Sequence, residues 1–231
     1  MTKQAKKIVC IIPARGGSKG IPKKNIINFL GKPLIQFSIE NAKKSKYDID
    51  VYVSSDCDEI LGIAQEFGAK SIKRPSDLSS DVATSESALL HAIDTIERHS
   101  DFDVCVFLQA TSPLRHARDI DDAIDKLIVE NLDSVFSGAL LEDFLIWQKN
   151  SKDTLESVNY DYTNRQRRQD RKHQFVENGS IYVFRKDSFK KTKNRIHGKF
   201  DVSLMEPWKN FEIDSLNDLE ICELIYDKKM S

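Results

Sequence analysis

Residues 12–25 read Ile-Pro-Ala-Arg-Gly-Gly-Ser-Lys-Gly-Ile-Pro-Lys-Lys-Asn and combine three glycines with four cations, Arg15, Lys19, Lys23 and Lys24. Glycine lets backbone amides turn towards an anion and approach it closely, and fixed cations beside them suit a polyphosphate. The spacing is neither that of a Walker A loop nor that of G-x-G-x-x-G. A solvated basic turn is the plain alternative, but such a turn has no use for this set directly after an apolar run. Two carboxylates stand near the C-terminus in Phe211-Glu212-Ile213-Asp214-Ser215. In an extended chain residues i and i+2 share a face, so Glu212 and Asp214 present hard oxygen donors suited to Mg²⁺. Equally, Asp214 or Ser215 could cap the helix that follows.

Three further segments carry polar groups at places where a ligand could meet them. Leu108-Gln109-Ala110-Thr111-Ser112-Pro113-Leu114-Arg115 begins at the end of an apolar run, and Gln109 supplies both a donor and an acceptor. Arg74-Pro75 precedes Ser79-Ser80-Asp81-Val82-Ala83-Thr84-Ser85-Glu86, in which Asp81 or Thr84 could simply cap a helix. Arg165-Gln166-Arg167-Arg168-Gln169-Asp170-Arg171-Lys172 leads to Glu177-Asn178-Gly179-Ser180. This basic cluster lacks the interleaved aromatics of a single-strand nucleic-acid surface, which favours an arginine site for carboxylate or phosphate.

These segments have to be held by something, and the intervening pattern says what. Apolar runs at 8–12, 50–54, 69–72 and 104–108 read as strands, the first and last without polar alternation, as in a parallel sheet covered on both faces. Helical spacing of apolar residues falls between them, at 33–42, 59–67, 85–96 and 120–129. Strand–helix alternation of this kind predicts βαβ crossovers and a doubly wound, mostly parallel sheet. The glycine-rich loop and Gln109 then both lie at the carboxyl ends of strands, where open α/β sheets bind ligands. After a fifth strand at 133–137 the rhythm breaks. Residues 138–175 are polar and irregular, too long for an ordinary connection, and read as an inserted arm. Strand texture returns at 180–184, and a last helix is predicted over 216–226.

The 231 residues carry 35 basic and 36 acidic side chains, a net charge of -1, which argues against bulk electrostatic binding to nucleic acid. With 40% hydrophobic and 31% charged residues the composition is globular, no run approaches the roughly 20 apolar residues of a membrane span, and the N-terminus does not read as a signal peptide. Cys10, Cys57, Cys105 and Cys222 are widely spaced and read as reduced structural thiols in a cytoplasmic protein.

Taken in order, IPARGGSKGIPKKN (12–25), RP (74–75), LQATSPLR (108–115), RRQD (167–170), ENGSIY (177–182) and EID (212–214) resemble the N-acylneuraminate cytidylyltransferases. The resemblance covers most of the chain. It implies a three-layer α/β fold of the nucleotide-diphospho-sugar transferase type with a dimerisation arm, and a homodimer. It also implies transfer of CMP from CTP to the anomeric hydroxyl of a nine-carbon 2-keto sugar acid, N-acylneuraminate first among them. By position in the motifs, Arg15, Gly16, Gly17, Ser18, Lys19, Lys24, Asn25, Arg74 and Ser85 would bind the nucleotide. Gln109, Arg168 and Gln169 would bind the sugar, Arg168, Lys24 and Asp214 would be catalytic, and Asp214 with Glu212 would hold Mg²⁺. Position 212 is often aspartate in the family, and the longer glutamate side chain suits a water-mediated contact. Histidines 91, 99, 116, 173 and 197 fall outside the motifs. Legionaminic, pseudaminic, deaminated sialic and 3-deoxy-manno-octulosonic acids are alternative acceptors. A non-catalytic nucleotide-binding module is the alternative of another class, although it would have no use for the acidic pair.

Overall fold

A computed structural model of the chain describes residues 7–18, 20–141 and 144–230 and, of Arg168, the backbone alone. Strand β1 (Ile8–Pro13) is followed by the hairpin β2 (Asn28–Phe29) and β3 (Lys32–Pro33) and by helix α1 (Leu34–Lys43). Next come β4 (Ile49–Ser55), α2 (Asp58–Glu66), β5 (Lys70–Lys73), α3 (Ser85–Glu97), β6 (Val104–Leu108) and α4 (Ala117–Val129). The second half holds β7 (Ser134–Leu140), the hairpin β8 (Trp147–Lys149) and β9 (Leu155–Ser157), β10 (Phe175–Arg185), α5 (Lys186–Thr192), β11 (Phe200–Leu204) and α6 (Leu216–Lys229).

Seven strands form one sheet in the order β11-β7-β10-β6-β1-β4-β5. β1 pairs in parallel with β4 and β6, β4 with β5, and β7 with β11, whereas β10 runs antiparallel to both β6 and β7. The sheet is therefore mostly parallel with one reversed strand in its interior. Alternate side chains of β1 serve opposite faces: Ile8, Cys10 and Ile12 pack with Ile35, Ile39, Ile60 and Ile124 of α1, α2 and α4. Val9 and Ile11 pack with Leu89 and Ile93 of α3 and Phe189 of α5. Two buried faces explain why β1 shows no polar alternation. A third cluster, around Phe29, Phe37, Leu114, Ile213 and Cys222, seats α6 against the glycine-rich side of the molecule.

The arm leaves from the end of β7 and returns at the start of β10, and its two feet pair with each other, Phe175 opposite Leu140. Gly138 to Leu140, assigned to the arm by the sequence pattern, belong to β7, because Gly138 takes part in the ladder to both β10 and β11. All four cysteines are free, with Cys10, Cys105 and Cys222 buried. Among the described residues no helix is long and apolar enough to cross a membrane.

Candidate active site

The loop after β1 is held by its own polar groups. Asn25 is buried and donates from Nδ2 to the Arg15 carbonyl oxygen at 2.9 Å, pinning the two ends of the loop together. The glycines divide the work. A Cβ on Gly16 would lie 2.8 Å from Cys57 Cβ, and the Gly16 amide donates to Asp56 Oδ1 at 2.9 Å. Gly16 is thus a packing residue with its N–H already engaged by a carboxylate, which departs from the expectation of an amide offered to phosphate. Gly17 has open space around it and lines the cavity, as does Ser18. A Cβ on Gly20 would lie 2.6 Å from the Asp214 carbonyl oxygen, so this glycine lets the loop lie directly against the acidic segment. Lys23 turns away to Glu59, whereas Lys24 Nζ lies 2.5 Å from Asp214 Oδ1. Lys19 lies outside the described residues.

The opposite wall is formed by residues 74–85. Arg15 reaches across to it, donating to Asp81 Oδ1 at 3.0 Å and to the Ser80 carbonyl oxygen at 3.2 Å. Arg74 is 5% exposed with its Nε atom unpartnered among the described residues. Burial lowers its pKa and the neighbouring Arg15 adds to that, against the pull of Asp56. A buried guanidinium with a donor to spare is a group waiting for an acceptor. The capping alternative for this segment falls to Thr84, whose hydroxyl accepts from the Ser87 amide, and this leaves Ser85 at the first turn of α3 on the cavity wall.

Gln109 and the acidic pair complete the enclosure. Gln109 Nε2 donates to the Gly179 carbonyl oxygen at 2.7 Å, and a Cβ on Gly179 (φ +68°) would fall 2.5 Å from that amide. Beneath it lies Arg115, 1% exposed, whose Nε donates to Ser180 Oγ and whose NH1 donates to Ser38 Oγ, both at 2.9 Å. Its NH2 donates to the Gln109 carbonyl oxygen. Burial lowers the Arg115 pKa to about 10. Buried Ile213 hangs its amide on the Thr111 carbonyl oxygen at 2.8 Å, so Glu212 and Asp214 on either side of it line one cavity. Ser215, not Asp214, caps α6, in a reciprocal box with Asp218. Asp214 is thereby left for the cavity.

The result is one cavity of about 350 Å³ on which Arg15, Lys24, Arg74, Ser85, Gln109 and the Glu212–Asp214 pair converge. Burial first, and the Asp214 charge second, push the Glu212 carboxyl above its usual range. The Asp214 charge makes Glu212 costlier to ionise, a cost that a divalent cation held by the two oxygen donors would relieve. The pair therefore fits Mg²⁺. No larger cluster of metal-ligating side chains occurs among the described residues.

Gln169 is not brought to this cavity. It lines a separate one on the arm, with Leu140, Leu141, Arg171, Lys172, His173 and Gln174. The Arg168 side chain lies outside the described residues. No histidine lines the main cavity. Sequence reasoning passed over Asp56, Phe107, Thr111 and Arg115. Arg115 stood in a quoted motif, but nothing in a local string marks an arginine as buried.

A cytidylyltransferase family model matches residues 9–230, and the chain belongs to that family. It is 33% identical to a pseudaminic acid cytidylyltransferase of Campylobacter jejuni, over 95% of this chain and 96% of that one. It is 34% identical to N-acylneuraminate cytidylyltransferase A of Danio rerio, over 96% of this chain but 51% of that one. Among solved structures, a CMP:2-keto-3-deoxy-manno-octonic acid synthetase complexed with CTP superimposes with a TM-score of 0.70 at 18% identity, covering 96% of this chain and 99% of that one. That likeness establishes the three-layer nucleotidyltransferase fold.

Proposed function

We propose that this cytidylyltransferase moves CMP from CTP to the anomeric hydroxyl of a nine-carbon 2-keto sugar acid, releasing pyrophosphate. The observation that carries the reading is the convergence of Arg15, Lys24 and Arg74 with Glu212 and Asp214 on a single cavity at the sheet's carboxyl edge. The relatives named for pseudaminic and N-acylneuraminic acids have nearly equal identity, so the acceptor is stated as their shared chemical class.

In this reaction the acceptor oxygen forms a bond to the α-phosphorus while the bond from that phosphorus to the bridging oxygen breaks. The hydroxyl proton leaves, and negative charge collects on departing pyrophosphate. Most of the acceleration in such a transfer comes from positioning and charge neutralisation. Arg15 and Lys24, on either side of the loop, would neutralise the triphosphate. Arg74 and Ser85 would hold the cytidine, and Gln109, fixed by Gly179 and Arg115, would orient the acceptor. Glu212 and Asp214 would hold Mg²⁺, which when bound supplies polarisation of phosphate oxygens.

The arm supports a homodimer. Phe144 is 71% and Trp147 42% exposed, with Ile146 and Leu155 also open, an apolar group that a second copy would cover. Through that contact the Arg168–Gln169 turn would serve the neighbouring copy's cavity. A nucleotide substrate and four free thiols are in keeping with work in the cytoplasm. The direct test is pyrophosphate release from CTP and Mg²⁺ with each candidate sugar acid in turn. Release with one of them supports the proposal and names the acceptor. CTP binding without release for every acid would overturn it in favour of a binding module.

A further inference from the structure

Beside the cavity, on the α3 face of the sheet, lies a cationic side chain that the proposed reaction does not yet use. Phe107, which lines the cavity, and Tyr182, opposite it in the ladder, stack with ring centroids 5.3 Å apart. The Arg195 guanidinium lies over both, its carbon 5.4 Å from the first ring and 5.0 Å from the second. Its Nε donates to Glu86 Oε1 at 2.7 Å, and Glu86 directly follows Ser85 on the cavity wall. Tyr182 is fixed in turn by donating its hydroxyl to Glu177.

Stacking on two rings and one ion pair leave the guanidinium little freedom. Its two terminal nitrogens have no hydrogen-bond partner among the described residues, and the side chain is 24% exposed. A fork of donors held rigid with its outer edge unoccupied is prepared for an oxygen acceptor. The charge is already offset by Glu86, so the fork is poorly suited to a triphosphate and well suited to a neutral carbonyl or hydroxyl oxygen.

We infer that Arg195 is a specificity-determining residue, whose terminal nitrogens bond a neutral oxygen on the acceptor remote from its reacting carbon, with Glu86 and the Phe107–Tyr182 pair as its mount. The inference rests on the transfer reaction proposed above and goes beyond it by assigning which side chain selects among acceptors.

The experiment compares wild type with Arg195→Gln, Arg195→Lys and Glu86→Gln in the full chain. It measures KM and kcat for CTP, for the preferred sugar acid, and for an analogue of that acid lacking the acyl or side-chain oxygen. Losing charge-assisted hydrogen bonds to one oxygen is expected to lower kcat/KM for the preferred acid about 10- to 100-fold in Arg195→Gln. The KM for CTP should stay within about twofold, Arg195→Lys should recover part of the loss, and the gap between wild type and variant should close for the analogue. A loss equal for every acceptor, or an equal rise in the KM for CTP, would overturn the inference. Should Arg195→Gln fail to fold, Glu86→Gln, which frees the guanidinium without removing it, must still shift the ratio between acid and analogue. Failure of wild type to release pyrophosphate with any acid is a separate result, which sinks the reaction itself.

Discussion

Lys24 and Asp214 are 2.5 Å apart, and the proposed reaction gives them different partners, the triphosphate for the lysine and Mg²⁺ for the aspartate. The lysine cannot fully serve the triphosphate while it serves the aspartate, so Asp214→Asn should improve CTP binding when no divalent metal is present. At this separation the Coulomb energy in bulk water is about 1.7 kcal/mol. The Asp214 side chain is 67% exposed while that of Lys24 is 16%, and measured pairs of such exposure contribute no more than about 1 kcal/mol. Releasing the lysine should therefore tighten CTP about fivefold. Calorimetric titration of CTP in chelator reads this directly, and the gain should shrink as salt is raised. Removing any negative charge near a triphosphate helps it bind, so Glu212→Gln measures that background. The specific gain should vanish when Asp214→Asn is combined with Lys24→Met. With Mg²⁺ present the sign should reverse, and pyrophosphate release should be lost. Unchanged or weaker CTP binding in chelator, or a gain that survives in the Lys24→Met background, would refute the counter-ion argument.

Three other outcomes are expected. Gly20→Ala must push the loop off the Asp214 carbonyl, which its Cβ would meet at 2.6 Å, and should cut kcat/KM for CTP at least about tenfold while far-ultraviolet circular dichroism stays unchanged. Arg115→Met leaves Ser38, Ser180 and the Gln109 carbonyl without their shared donor, and should cost about 3 kcal/mol in a denaturant titration. Trp147→Asp places a charge in the exposed apolar group of the arm and should shift sedimentation from dimer to monomer, whereas an unchanged mass would count against the arm as the contact.

The parts of the chain that were legible in sequence are those where one physical requirement dominates. Val104 to Leu108 is buried on both faces and emerges as β6 with the same limits, and the helix expected from Ser85 runs to Glu97. β11 and α5 went unread. Phe200 to Leu204 alternates apolar and polar residues over only five positions, with Phe200 and Leu204 exposed at the sheet edge, and α5 is lysine-rich with Phe189 as its main apolar anchor. The three-residue strands of the arm are shorter than any periodicity can mark. At the site, the glycine-rich loop, Gln109 and the acidic pair were visible as residue types at strand ends. The same string could not show that the Gly16 amide is taken by Asp56, because that contact spans forty residues of sequence. The competition between capping and binding at residues 214–215 was visible but undecidable, since both readings use the same short polar string. The box between Ser215 and Asp218 resolves it.

The feet of the arm are hydrogen-bonded neighbours, Leu140 opposite Phe175, so whatever hangs between them begins and ends at one point on the sheet. Chain can be gained, lost or rewritten there without moving any other strand out of register. The strand order that carries the cavity is in this way indifferent to the arm's length, while the arm's proposed reach into a second copy depends on it.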